Sequence, residues 1–457
     1  MSKLLFNEFE AVTSKQWKQK IQFDLKGADY NENLIWKTNE DIDVKPFYHS
    51  DEFKELPAIS NTKATQWHIC QSIFVADANK SNKKAINAIG RGAESIKFII
   101  PSETISLTQL IQNIDTTSIS LYFELQFLSD KYLLQFKDLI NNENLFFYID
   151  IIGNLAKNGN WFSSLQEDHQ KFETIVNQIN TISVDMSLYQ NAGANMVQQL
   201  AYGLSQANEY LNHFDSKLGK DKKQSIKILF KVSVGTNYFF EIAKLKALRI
   251  LWNTLAPEYG FNSQCHIVVT PTKRNKTLYD YNTNMLRTTT ECMSAILGGA
   301  NTVCNLAYDA VYHKDNEFGE RIARNQLLIL KHESYFDKVN NPSDGTYYIE
   351  SLTNQLAEKS LELFKNIEAN GGFLNQLKEG TIQRKIKEYA AKEQQQFDEG
   401  KEILLGSNKY PNPKDTMKQE LELYPFVKIN QRKTLIEPII EKRLAEKLEQ
   451  ERLKKED

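Results

Sequence analysis

The chain of 457 residues is long enough to bury a large core and to hold two or three domains, a barrel of about 250 residues counting as one. Lys+Arg of 56 against Asp+Glu of 58 leaves a net charge of −2, so the composition offers neither a basic face for nucleic acid nor a strongly acidic one. No uncharged apolar run approaches membrane-spanning length, and the opening MSKLLFNEFEAVTSKQW lacks the apolar stretch of a secretory leader.

Residues 1–60 are polar, turn-rich and weakly periodic, which predicts an N-terminal arm that wraps over the rest of the chain or a partner. About eight short β-rich runs follow: 67-WHICQSIFV-75, 95-SIKFII-100, 118-SISLYFEL-125, 146-FFYIDII-152, 181-TISVDM-186, 226-IKILFKV-232, 266-HIVVT-270 and 302-TVCNL-306. Helix-like stretches separate nearly every pair, among them 190–214, 237–256 and 319–336. Parallel strands need such crossovers, and this number of units over 61–350 predicts an α/β fold, a closed (β/α)8 TIM-type barrel. Gly298-Gly299 reads as a helix-to-strand turn. Residues 351–457 are expected to form a helical C-terminal extension and tail, with 407–415 as a surface loop. The stretch PIIEKRLAEKLEQERLKKED (438–457) reads as a charged, largely solvated helix whose thin apolar stripe is Ile440, Leu444 and Leu448.

In a barrel of this kind the chemistry sits where the strands end. Glu124, Asp150 and Asp185 end the third, fourth and fifth runs and Lys231 the sixth, so the mouth is expected to hold an ion-pair network or a carboxylate site. The seven histidines are His49, His68, His169, His213, His266, His313 and His332; none has metal-helix spacing, and His68 and His266 read as hydrogen-bonded core or rim residues. Cys70, Cys265, Cys292 and Cys304 lack C-x-x-C spacing, which suits buried thiols in a reducing, cytoplasmic setting. G-x-G-x-x-G, the P-loop and the G-x-S-x-G elbow do not occur.

Longer strings carry a resemblance. The segments 190-QNAGANMVQQLAYGLSQANEYL-211, 235-GTNYFFEIAKLKALRILW-252, 284-NMLRTTTECMSAILGGANTV-303, 319-GERIARNQLLILKHES-334 and 341-NPSDGTYYIESLT-353, continuing into 362-ELFKNIEANGGF-373, resemble the acyl-CoA-binding barrel of methylmalonyl-CoA mutase, an adenosylcobalamin-dependent radical isomerase. LFNEFEAVTSKQWKQKIQFDLKGADY (5–30) resembles the opening of the family's smaller subunits.

The functional positions depart from the family. Its first strand reads R-P-W-T-I-R-Q-Y, with arginines and threonine on coenzyme A and the tyrosine over the acyl group. Here 65-TQWHICQS-72 puts Thr65 and Cys70 at the arginines, His68 at the threonine and Ser72 at the tyrosine. The family histidine of G-Y-H-x-x-E-A-G-A falls on Leu188, and the R-x-H-x-Q of its seventh strand is lost around His266. The P-S-M-R arginine of the fourth strand and the cobalamin string D-x-H-x-x-G have no counterpart. The family threads pantetheine down the barrel axis, which calls for small side chains. Alternation turns about half of Trp67, Phe74, Tyr122, Phe123, Phe146, Phe147, Tyr148 and Phe230 inward, so plugging rings are expected.

The resemblance therefore implies a non-catalytic small subunit in a heterodimeric mutase, with no catalytic, cofactor-binding or metal-binding residue of its own. A homologous large subunit would hold adenosylcobalamin and interconvert (R)-methylmalonyl-CoA and succinyl-CoA. Neither nucleic acid nor membrane is expected as a partner. Two alternatives stay open: a mutase barrel that borrows a separate cobalamin-binding chain, and an acyl-CoA-binding or regulatory protein in which Cys70, His68 and Ser72 line a changed pocket.

Overall fold

The computed structural model describes residues 8–55, 60, 62–136, 144–428 and 431–456. The first seven residues, on which part of the leader expectation rests, lie outside them.

Two short strands, β1 (Trp36–Lys37) and β2 (Asp43–Val44), pair in the arm; eight parallel strands then build one sheet. They are β3 (His68–Phe74), β4 (Ser95–Ile100), β5 (Ser120–Leu125), β6 (Leu145–Tyr148), β7 (Thr181–Asp185), β8 (Lys227–Val234), β9 (Cys265–Pro271) and β10 (Thr302–Cys304). Every predicted run overlaps its strand; β6, β8 and β9 extend one or two residues beyond theirs. The sheet order β6-β5-β4-β3-β10-β9-β8-β7 joins the first barrel strand to the last, as a (β/α)8 barrel requires. No ladder joins β6 to β7 among the described residues. Side chains bridge that seam: the Ile149 amide donates to Ser183 Oγ at 2.7 Å and the Asp185 amide to Asp150 Oδ2 at 2.8 Å.

Alternation along each strand makes two cores. Ile69, Ile96, Phe98, Leu121, Phe123, Phe147, Val184, Phe230, Val269 and Val303 face outward and pack under the surrounding helices. Cys70, Tyr122, Phe146, Tyr148, Leu229, Val268 and Cys304 form a separate inner cluster. Local signals set the helix starts: Asn195 and Gln198 make a capping box for Met196–Asp215, and Ser164 caps Leu165–Ile179. At the predicted turn Gly299 has φ +84, and a Cβ there would lie 2.4 Å from Thr62 Cγ2, so only glycine fits.

The latter part of the arm lies on the chain's own helices. Ile42 is fully buried, Trp36 packs edge-on to Phe240 with centroids 5.9 Å apart, and the Asn39 and Gln396 amides bond at 2.9 Å. By contrast the Ser14–Asp24 helix buries none of its residues.

After Tyr347–Ala369, Gly372–Lys378 and Thr381–Asp398 the chain ceases to be helical until Glu446–Leu453, so the helix expected over 438–457 shrinks to its middle. Pro438 brings no amide hydrogen. The Ile439, Lys442 and Leu444 amides donate to the Ala156, Asn191 and Arg274 carbonyls at 2.8, 3.0 and 2.8 Å, instead of to a helix of their own. The tail is not a solvated face either: Leu444 is buried, and Arg443 pairs with Glu449 at 2.6 Å below the surface.

Candidate functional site

Along the barrel axis the lower part of the bore is filled by packed rings. Tyr122 stacks on Phe146 at 4.8 Å, and its hydroxyl is 2.9 Å from His266 Nε2 and 2.7 Å from Thr302 Oγ1. Phe146 also stacks on the His266 ring at 4.5 Å, and Tyr148 lies 6.1 Å from Tyr122. Burial depresses the His266 imidazole to about 3, helped by Arg249, so the ring stays neutral at physiological pH. Of the eight large side chains expected to divide between the faces, Tyr122, Phe146 and Tyr148 turn into the bore. Phe123, Phe147, Phe230 and Trp67 turn out, and Phe74 is exposed at the rim.

Truncating this plug should be costly. Tyr122→Ala removes a fully buried ring and leaves His266 and Thr302 without their hydroxyl partner, so a loss of about 4 kcal/mol is expected in urea unfolding.

Above the rings, at the C-terminal ends of the strands, a cleft of about 820 Å³ opens, lined among others by Ser72, Leu188, Lys273 and Cys304. Charges at its floor are tied to one another. Lys231 Nζ is 3.0 Å from Glu124 Oε1 and 2.9 Å from Asp185 Oδ2, and Lys97 reaches Glu124 Oε2 at 3.6 Å. Burial works against ionisation of Glu124, yet Lys231 and Lys97 overcome it and hold the carboxyl down to about 2. Burial opposes the Lys231 charge too, but Asp185 and Glu124 carry its ammonium well above the ordinary lysine value. The floor is a locked network of charges, in which Glu124 and Asp185 are held as ion pairs by Lys231.

Asp150 does not join it. β6 ends at Tyr148, and Asp150 caps the Ile151–Asn158 helix instead, its carboxylate accepting from the Gly153 and Asp185 amides, the Gln206 amide and the Tyr210 hydroxyl. Burial pushes the Asp150 carboxyl up, against the lowering effect of the Tyr210 hydroxyl.

The positions read from the sequence are thus dispersed. Ser72 and Leu188 reach the cleft, the latter 3% exposed on the short Ser187–Asn191 helix. Cys70 lies in the bore beside Cys304, with their Cα atoms in register on β3 and β10. His266 sits deep in the bore and His68 opens β3, its ring partly buried and its imidazole held below the ordinary value by that burial. Thr65 stands outside the barrel, bonded to Asn340. Lys97 was missed. A lysine amid the apolar run SIKFII, two residues from Ser95 and Ile99, was the available signal, since its parity with them places it inward.

Comparison with known proteins decides the family. The family model described as Methylmalonyl-CoA mutase matches residues 147–455. The chain is also similar to the methylmalonyl-CoA mutase small subunit of Porphyromonas gingivalis, 32% identical over 449 residues, covering 89% of this chain and 71% of that one. The chain belongs to the methylmalonyl-CoA mutase family. Two other members of that family are similar as well. The methylmalonyl-CoA mutase of Rhizobium meliloti is 26% identical over 87% of this chain and 64% of its own length. The large subunit from Porphyromonas gingivalis is 31% identical over 54% of this chain and 35% of its own. This chain therefore spans less than two thirds of the length of those two relatives.

The family's cofactor can be tested against the residues present. The histidine lining the mouth cleft, His313, has Nδ1 held 3.1 Å from Asp309 Oδ2 and packs on the Tyr312 ring at 4.3 Å. It stands outside any D-x-H-x-x-G string, and Glu124 and Asp185 at the strand ends are ion-paired with Lys231. This donor set does not fit adenosylcobalamin.

Proposed function

We propose that this chain is the non-catalytic small subunit of an adenosylcobalamin-dependent methylmalonyl-CoA mutase, stabilising a homologous large subunit that interconverts (R)-methylmalonyl-CoA and succinyl-CoA. The filled bore supports this reading most directly. Tyr122, Phe146 and Tyr148 occupy the axis along which the family's acyl-CoA chain would run, and they are held by stacking and by His266 and Thr302. Leu188 and Ser72, where the family carries histidine and tyrosine, add the loss of groups that would touch the acyl moiety. Similarity to a protein named as a small subunit, with a large subunit known from the same organism, agrees with it.

The test is purification of the tagged chain from its own cells and assay of methylmalonyl-CoA isomerisation. A longer homologous chain at equal stoichiometry is expected, with turnover only in the complex. Turnover by this chain with a small cobalamin-binding protein would overturn the reading in favour of a split mutase. Coenzyme A raising the thermal stability of the lone chain would favour an acyl-CoA-binding protein instead.

The arm supplies the candidate contact. Trp17 and Phe23 of the Ser14–Asp24 helix are 49% and 78% exposed, while the segment from β1 onward is committed to the chain's own helices. Deleting residues 1–28 is expected to abolish co-purification of the large chain while leaving the unfolding midpoint of the barrel unchanged. Retained association would remove the arm from the interface.

A further inference from the structure

Two thiols lie side by side where the barrel closes. Cys304 on β10 and Cys70 on β3 are in-register partners on neighbouring parallel strands, and both face the bore. Hydrogen-bonded strands run about 4.8 Å apart, within the roughly 4.4–6.8 Å that separates Cα atoms across a disulfide. Neither thiol is in a disulfide. Cys304 is among the residues lining the mouth cleft, although only 1% exposed, whereas Cys70 stands one strand farther round. Lys97 on β4 and Lys231 on β8 share the cleft floor with Cys304, together with Glu124 on β5.

We propose that Cys70 and Cys304 form a hydroperoxide-reactive dithiol that oxidises to a disulfide linking the first and last strands of the barrel. The Cys304 thiolate attacks one peroxide oxygen: an S–O bond forms, the O–O bond breaks, and hydroxide leaves. Cys70 then attacks the sulfenic sulfur, the S–S bond forms, and the oxygen departs as water with the remaining proton. Two thiols and one hydrogen peroxide thus give one disulfide and two waters.

The division of labour follows from the surroundings. The neighbouring Cys70 thiol and the Lys97 ammonium hold Cys304 below the ordinary thiol value, against burial and Glu124; burial and the proximity of Cys304 push Cys70 up. Cys304, the one of the two that lines the mouth cleft, is the attacking sulfur and Cys70 the resolving one. The other two cysteines have different settings. Cys292 donates to Asn305 Oδ1 at 3.3 Å, and Cys265 is buried outside the inner cluster beside Arg249.

The experiment treats the full chain with hydrogen peroxide, alkylates free thiols after denaturation, and maps the peptides by mass spectrometry. The expected product is a Cys70–Cys304 linked peptide, two hydrogens lighter than the dithiol and reopened by dithiothreitol, with Cys265 and Cys292 alkylated as before. In Cys70→Ser, Cys304 should accumulate as a dimedone-reactive sulfenic acid; in Cys304→Ser, Cys70 should stay alkylatable. Full alkylation of both Cys70 and Cys304 in the peroxide-treated wild type would overturn the proposal. So would their linkage to Cys265 or Cys292.

Discussion

Replacing Asp150 with alanine is expected to destabilise the barrel by about 4 kcal/mol, although its carboxylate takes no part in the ion pairs of the cleft floor. Its carboxylate accepts from the Asp185 amide at 2.8 Å, the Gly153 amide at 2.7 Å, the Tyr210 hydroxyl at 2.6 Å and the Gln206 amide at 2.7 Å. Alanine leaves several of these enclosed donors unsatisfied and also removes the cap of the Ile151–Asn158 helix, two losses of about 1–3 and 0.5–2 kcal/mol each by type. Because the Asp185 bond bridges the one strand pair without a ladder among the described residues, the loss should be local as well as global. Amide exchange at Ile149 and Asp185 should accelerate more than exchange in β8 or β9. Asp150→Asn keeps one acceptor and should cost about half as much. A urea midpoint unchanged in Asp150→Ala would show that the seam does not depend on this residue.

Removal of Lys231 should be nearly as severe, and its signature is a change in acid response. Lys231→Met leaves Glu124 and Asp185 at the cleft floor without their shared partner, a situation that costs about 3–5 kcal/mol when one partner of a buried pair is removed. Glu124 titrates at about 2 in the folded chain, below its ordinary 4.5. Its contribution is therefore complete above pH 4.5 and is lost as pH falls toward 2; at about 1.4 kcal/mol per unit it amounts to about 3 kcal/mol. In Lys231→Met the acid limb of the stability curve should flatten over that window. Adding Glu124→Gln and Asp185→Asn should recover most of the loss, since the cost lies in stranded charge. A variant with wild-type acid dependence would mean that Lys97 alone sets the Glu124 titration.

Much of this architecture was legible because short apolar runs at regular spacing have few other uses, and all eight strands fall inside such runs to within two residues. Which rings enter the bore followed only once strand register was known: Tyr122 and Phe123 are adjacent in sequence and end on opposite faces. Asp150 was misplaced at the mouth because a strand-end reading outweighed the equally available one, an aspartate just ahead of IIGNLAKN acting as a helix cap. The tail path was hidden for a different reason. EKRLAEKLEQERLKK has helical composition throughout, but the amides after Pro438 find carbonyls more than 150 residues away in sequence, and no local pattern encodes that choice. Thr65, Ser72 and Leu188 were found through family resemblance alone, which orders residues along the chain and says nothing of whether they converge; His68, Cys70 and His266 were also singled out by residue type.

Closure of the sheet by β10 against β3 has a consequence for biosynthesis. During translation β3 leaves the ribosome with one edge paired to β4 and the other bare, and its partner arrives only after residue 304. At about 5–20 residues per second that edge waits on the order of 10–50 s. Throughout the interval an unpaired strand with apolar Ile69 and Ile73 on one face is a template for any other nascent chain. Yield of folded protein should therefore depend on holdase chaperones and on translation speed between residues 74 and 304 more than on the stability of the finished barrel.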